Sequence, residues 1–430
     1  MKKALLLFVV LALVFAPIFA EGAKEKKEDG PITIELWTHE DAARQELEDR
    51  YIAEFCETHP NVTVNVTRQS AEKLRELVQT AFAAGQGPTV FNLSIEDERQ
   101  YIEAGLVQPI NYAAAGYKDA KDVIANYMDN MLDGVTFEGE VYGLPIELTN
   151  WSILVNTKVL KSAGLTVDDL PKTWEEMMAL CEKLVIRDGD VLKRRGFDFR
   201  YTYELTYFVP MVEQLGGELV SADGKTACVG EEAWIKALTF MQEWGPNGKN
   251  LGAPTYTAAR KLFNKDNNDI TMCNTGLYQE SRILSENPDF YNSGEWMFIP
   301  YPVFEGGKDI AGCYYGHYYL VNSNVDDATS KVAWELISYM LSHGEEYLEH
   351  VGLIQPSLKL MNSDIYKNMP YSDVISSDFA RGHIVYYGYG SAQIQTLINS
   401  AIKSVMLSGV TPADAYKTLK AAVQEILDEQ

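Results

Sequence analysis

Between Ile32 and Trp37 the chain reads Ile-Thr-Ile-Glu-Leu-Trp, apolar and polar in alternation, which is the period of a strand with one buried face. A polar break at Thr38-His39-Glu40-Asp41 follows, then a helical stretch through Phe55. Val62-Thr63-Val64-Asn65-Val66 repeats the strand pattern. Next, Leu74, Leu77, Val78, Ala81 and Phe82 recur at helical spacing, which predicts an amphipathic helix stopping at Gly85. Val90-Phe91-Asn92-Leu93 reads as a third short strand. Strands alternating with helices predict an α/β domain with a largely parallel sheet, because parallel neighbours need a crossover between them.

The pattern resumes further on. Thr173-Trp174-Glu175-Glu176 is a capping box, backed by a buried stripe of Met177, Met178, Cys181, Leu184 and Val185. Val332, Ala333, Leu336, Ile337, Met340 and Leu341 mark another helix. The last one starts with Thr411 as N-cap and Pro412 at the first helical position, with Ala415, Tyr416, Leu419, Ala422, Val423 and Ile426 on one face. No internal repeat and no Pro/Ser/Gly-rich linker is visible, so two domains would be joined by short crossings within ordered structure.

One apolar run fits neither period. Lys2 and Lys3 precede an uncharged stretch from Ala4 to Ala20 that is interrupted by Pro17 and gives way to charge at Glu21. A membrane span needs roughly 20 apolar residues, whereas a charged start, a short apolar centre and a small residue at Ala20 are the parts of a secretory signal peptide. Residues 1–20 are therefore expected to be an export signal and 21–30 a flexible leader. No cysteine precedes Cys56, so no lipid anchor is expected and the mature protein should be free in the periplasm. The five cysteines, Cys56, Cys181, Cys228, Cys273 and Cys313, are widely spaced and form no CxxC pair; mostly free, buried thiols are expected.

Charge and motif exclude several functions. With 37 Lys+Arg against 61 Asp+Glu the net charge is −24, and Lys193–Arg195 is the one basic cluster, which argues against nucleic acid. His39, His59, His317, His343, His350 and His383 include no pair at helical ligand spacing, so no metal site is expected. Gly85-Gln86-Gly87 lacks the third glycine of a dinucleotide loop, Leu219 stands where a phosphate loop ending at Gly224-Lys225-Thr226 needs its first glycine, and no GxSxG elbow occurs. No cofactor is expected. What the chain does offer is ring surface: 25 Tyr, 7 Trp and 16 Phe, clustered at Tyr201-Thr202-Tyr203, Tyr207-Phe208, Tyr314 to Tyr319 and Tyr386-Tyr387-Gly388-Tyr389. A Tyr beside Gly in a loop can stack on the C–H face of a pyranose, which makes Tyr315, Tyr386, Tyr387 and Tyr389 candidates. Alternate Tyr in a strand such as Tyr318-Tyr319-Leu320-Val321 fit a core equally well.

Taken in order, several segments resemble the sugar-binding family of bacterial extracellular solute-binding proteins that includes the maltose-binding protein, the periplasmic receptors of ABC importers. They are Ile32 to Thr38, His59-Pro60-Asn61-Val62-Thr63-Val64, Ala81 to Val90 and Tyr101 to Pro109. Tyr142-Gly143-Leu144-Pro145, Leu154 to Leu160 and Pro171 to Glu176 complete the series. Two positions depart from that family: Thr89 stands where an acidic residue is frequent, and Val155 where a Tyr is common.

The resemblance implies a type II periplasmic-binding-protein-like fold, two α/β lobes joined by a hinge with three crossings. The crossings should lie near Pro145–Glu147, Gly312–Tyr314 and Gly352–Pro356. The first lobe would comprise 31–146 and 313–354, the second 147–312 and 355–430. Ligands of open parallel sheets bind beyond the carboxyl ends of strands. That rule selects Trp37, His39 and Glu40 after the first strand, and Asn92, Ser94 and Glu96 after the third. Around the first crossing it selects Glu147, Asn150 and Trp151. From the second lobe come Tyr207, which precedes a helix, and Gly276 with Tyr278, which match the family's glycine and aromatic.

The expected function is binding without covalent chemistry: a monomeric receptor that closes on a mono- or oligosaccharide and delivers it to the transmembrane subunits of an ABC permease. A polyol, a glycerol phosphodiester or a peptide is the alternative solute. An anionic ligand would call for Arg or Lys, which these candidates lack. A secreted polysaccharide-degrading enzyme with two distant carboxylates is the alternative from another class.

Overall fold

The structure is a computed structural model that describes residues 30–199, 204–256, 259–267, 269–384, 388 and 390–429. The expected export signal and nearly all of the leader lie outside the described residues, as do Tyr386, Tyr387 and Tyr389.

The alternating segment forms the strand Ile32–His39, with Ile32, Ile34 and Leu36 buried in the core of the first lobe. That helix, Ala42–Thr58, begins at Asp41, whose carboxylate accepts from the Arg44 backbone N–H at 3.2 Å. Strand Val62–Gln69, helix Ala71–Ala83 and strand Val90–Ser94 complete the expected alternation. The three strands pair in parallel, with Ile32–His39 in the middle.

The same sheet then gains strands from far along the chain. Cys313–Val321 lies antiparallel to Val90–Ser94 on one side and to Gly143–Thr149 on the other, and its start pairs with His383–Ile384. Gly316 sits where this pairing is tightest: a Cβ there would come within 2.4 Å of the Glu147 carbonyl oxygen. Tyr318 and Tyr319 are fully buried, their hydroxyls donating to the Met131 carbonyl at 2.6 Å and to Glu48 at 2.7 Å. The Tyr-rich run is thus largely core of a central strand.

A second sheet runs Ile186–Asp188, Val191–Asp198, Ile270–Thr275, Ser152–Asn156 and Trp296–Ile299 in spatial order. Trp174, the first residue after the capping-box Thr173, is fully buried against Phe197, Phe199, Phe240 and Tyr301. Its indole donates to Gln214 Oε1 at 3.2 Å. Truncating such a ring costs about 3–5 kcal/mol. Helices Glu231–Trp244, Ser391–Leu407 and Pro412–Asp428 pack together on this lobe.

The lobes meet where the chain changes sheets. The strand expected to cross at Pro145–Glu147 instead runs on in the first sheet to Thr149, and the second sheet starts at Ser152, so Asn150 and Trp151 make the turn. Leu148 bridges to Ile354, holding the third expected crossing beside the first. Cys56, Cys181, Cys228 and Cys273 are free thiols, the last three buried. Among the described residues no helix is long and apolar enough to cross a membrane.

Candidate functional site

Two of the cavities between the lobes share a wall. One, of about 430 Å³, is lined by His39, Glu40, Asp41, Glu147, Thr149 and His317 from the first lobe, with Trp151 at the crossing and Lys261, Tyr278 and Arg282 from the second. The other, of about 360 Å³, has Asn92, Ser94, Glu96, Asp97 and Arg75 on one wall and Gln395, Thr396 and Asn399 on the other. His39 and His317 line both, so these are two chambers of one cleft.

The divide is built from four strands of the first sheet. His39 closes the first strand, Asn92 lies beside it on the third, and His317 and Glu147 face each other across two hinge strands. The His39 and His317 rings stack with centroids 3.8 Å apart. Asn92 Oδ1 accepts from the His39 backbone N–H at 3.0 Å and lies 3.3 Å from its Nδ1. On the other side Arg44 Nη1 donates to Nε2 at 2.9 Å. An arginine can only donate, so Nε2 must accept, and the ring is held neutral. Burial, then the adjacent Arg44 charge, push the His39 pKa well down. Arg44 is itself 1% exposed and paired with Glu48 at 3.2 Å.

His39, Glu147 and His317 bring possible ligand atoms within 4.8 Å of one another, the residue types of a zinc site. Spacing along the chain missed this trio because it comes from three strands rather than one helix. Its geometry does not suit a metal: rings tilted by only 26° aim their in-plane lone pairs side by side, and the one on His39 Nε2 is already taken by Arg44.

The acidic wall has a different character. The carboxyls of Glu96, Asp97 and Glu98 are all pushed upward, in each case first by burial. Asp97 accepts from the Ser94 hydroxyl at 2.9 Å and lies 3.6 Å from Arg75. Glu98 turns from the cavity to the backbone N–H of Tyr318 at 3.2 Å.

Of the residues selected from the sequence, the structure gathers His39, Glu40, Asn92, Ser94, Glu96, Glu147, Trp151 and Tyr278 on the cleft walls. Gly276 belongs to the same region by its backbone: a Cβ there would meet Thr149 Cγ2 at 2.2 Å. Three lie elsewhere. Trp37 packs on the core of the first lobe, outside both linings. Asn150 is buried and braces the crossing, its amide donating to Ser152 Oγ at 3.2 Å. Tyr207 is 1% exposed in the core of the second lobe, its ring 5.2 Å from that of Phe199. Tyr315 pairs by its backbone with Thr149. Tyr386, Tyr387 and Tyr389 fall outside the described residues.

Sequence reading missed Arg44, Arg75, Asp97, Lys261, Arg282, His317, Gln395 and Asn399. Most sit on helices, where a polar residue facing a cleft and one facing solvent look alike. The expectation of a cleft without Arg or Lys is therefore corrected: four cationic side chains line it. Three are engaged by acids, Arg44 by Glu48, Arg75 by Asp97 and Arg282 by Asp41.

Residues 38–347 match the family model described as bacterial extracellular solute-binding protein. The lactose-binding protein of Rhizobium radiobacter is 21% identical over 410 residues, covering 93% of this chain and 90% of that protein. A solute-binding protein of an ABC transporter from Thermotoga lettingae TMO, solved bound with alpha-D-tagatose, superposes with a TM-score of 0.79 at 20% identity, over 92% of this chain and 100% of that one. UgpB of Mycobacterium tuberculosis, in complex with glycerophosphocholine, reaches 0.77 at 16% identity, over 94% and 99%. These structures share the fold of two α/β lobes around a cleft. By the match across most of its length, this chain belongs to the bacterial extracellular solute-binding protein family.

Proposed function

We propose that the protein is the sugar receptor of an ABC importer: it closes on a mono- or oligosaccharide in the interlobe cleft and releases it unchanged to the permease. The observation that carries this reading is a two-chambered cleft whose walls come from both lobes, so that a ligand bridging them stabilises the closed form. Chambers of about 360 and 430 Å³ suit small hydroxylated ligands. Carboxylates, amides and a serine hydroxyl supply directional partners for hydroxyls, and the Tyr278 ring adds an apolar surface to the wall. The relatives named for lactose and tagatose point to the same ligand class. Contacts would come from His39, Glu40, Asn92, Ser94, Glu96, Glu147, Trp151 and Tyr278. Export by residues 1–20, residence in the periplasm and action as a monomer belong to the same proposal.

Calorimetric titration with a panel of mono- and oligosaccharides tests it, combined with scattering to follow closure. Saturable heat with one sugar and a smaller radius of gyration on its addition are expected. Absence of both across the panel overturns the reading, and so does recovery of a cleaved sugar after incubation. Binding of a glycerol phosphodiester in place of any sugar would assign the cleft to that solute.

A further inference from the structure

The chamber between Asn92–Asp97 and the helix Ser391–Leu407 has more acceptors than donors. Glu96 Oε2, Asp97 Oδ1 and Asn399 Oδ1 are buried atoms to which nothing donates. Glu96 is 9% exposed and Asp97 4%, and both line the chamber. A buried carboxylate oxygen without a donor costs free energy of the order of a lost hydrogen bond or more, so these atoms mark a place completed by something that donates.

The charges around them narrow what that is. From the helix Ala71–Ala83 come Glu72 and Arg75, and Arg75 is directed at Asp97, 3.6 Å away. Glu98 lies behind on the same helix as Glu96. The opposite wall offers Gln395, Thr396 and Asn399, with no charge. His39, at the inner end, is held neutral by Arg44. His317 there faces Glu147 at 2.6 Å. Among the described residues no cation lies within 4 Å of Glu96, so one carboxylate is left over.

A sugar hydroxyl would fill the hydrogen bond but bring no charge to stabilise the ionised form of this buried carboxyl. An ammonium does both, and its three donors can reach acceptors on either wall. We propose, on the basis of the sugar-receptor reading above, that this chamber takes the protonated amine of an amino sugar, with Glu96 and Asp97 as its anionic partners. The raised affinity of these carboxyls for protons fits such a site: a bound ammonium stabilises the ionised pair, and an amine that enters unprotonated takes up the proton the carboxyl gives up.

The test is calorimetric titration of the purified protein at pH 7.5 with glucosamine and its β-1,4 dimer and trimer, against glucose, N-acetylglucosamine and the acetylated oligomers. The amine of at least one pair should bind about tenfold tighter than its acetylated counterpart. In Glu96→Gln, an isosteric change, the amine preference should fall at least fivefold. Equal or tighter binding of neutral or acetylated sugars overturns the amine assignment and leaves the sugar reading standing. Binding of no sugar in the wild type, with the fold intact by circular dichroism, overturns both.

Discussion

Arg282 reaches across the cleft to Asp41, its Nη2 3.2 Å from the carboxylate oxygen Oδ2, and so ties a helix of the second lobe to the N-cap of the first helix of the other. The guanidinium also lies over the Tyr278 ring, 4.6 Å from its centroid. At 39% side-chain exposure the pair is partly screened by solvent, which limits its worth to a fraction of a kcal/mol, roughly 0.2–1. Arg282→Ala should therefore weaken ligand binding about two- to fivefold at low salt. In 1 M NaCl wild type and variant should converge, as calorimetry in both conditions would show. An equal loss at both salt concentrations would mean that Arg282 touches the ligand instead.

His317 and Glu147 join two hinge strands through a contact of 2.6 Å, and both are nearly buried. His317→Ala should lower stability by about 2–4 kcal/mol, because the Glu147 carboxylate is left buried without that partner. His317→Gln, which keeps an N–H donor, should recover part of the loss. Urea unfolding at pH 7 measures both, and a loss below about 0.5 kcal/mol for the alanine variant would show that the pair is dispensable.

Glu96 makes a pH prediction. Burial, then its neighbour Asp97, push its carboxyl up to about 8. A carboxyl whose folded pKa exceeds its unfolded value binds its proton more tightly when folded. The associated stability is complete below the unfolded pKa and is lost as the pH rises through the folded one. Glu96→Gln should thus change little at pH 4.5 and stabilise the ligand-free protein at pH 8.5, by roughly 2–4 kcal/mol. Thermal melts across that range would check it; a stability difference independent of pH would contradict the assignment.

Gly276 follows the strand Ile270–Thr275 of the second sheet and lies against Thr149 of the first. A Cβ at 276 would stand 2.2 Å from Thr149 Cγ2 and 3.2 Å from the Asn150 carbonyl oxygen. Gly276→Ala should wedge the lobes apart and cut ligand affinity about tenfold. Adding Thr149→Ser removes the obstructing methyl and should restore most of it. If the second change restores nothing, the glycine is needed for something other than room.

Local pattern made the α/β alternation legible, because period two and period 3.6 are written into successive residues such as Ile32 to Trp37 and Leu74 to Phe82. The capping boxes and N-caps at Thr173 and Thr411 were equally plain, since each is a contact within four residues. The rule that ligands lie beyond strand ends selected His39, Asn92, Ser94, Glu96 and Glu147, all of which line the cavities between the lobes. It failed for Trp37, whose ring within the strand packs on the core, and Tyr207, chosen as preceding a helix, lies inside the helix Glu204–Gln214 and is buried in the second lobe. What tertiary structure alone decided was which distant charges meet. Arg282 and Asp41 are separated by 241 residues and His317 and Glu147 by 170. Nothing in their own neighbourhoods distinguishes them from solvated side chains. The crossing between sheets at Asn150–Trp151 brings Arg282 to Asp41, strand pairing within the first sheet sets Glu147 against His317, and with them come the cleft, its charge balance and its unmatched carboxylate.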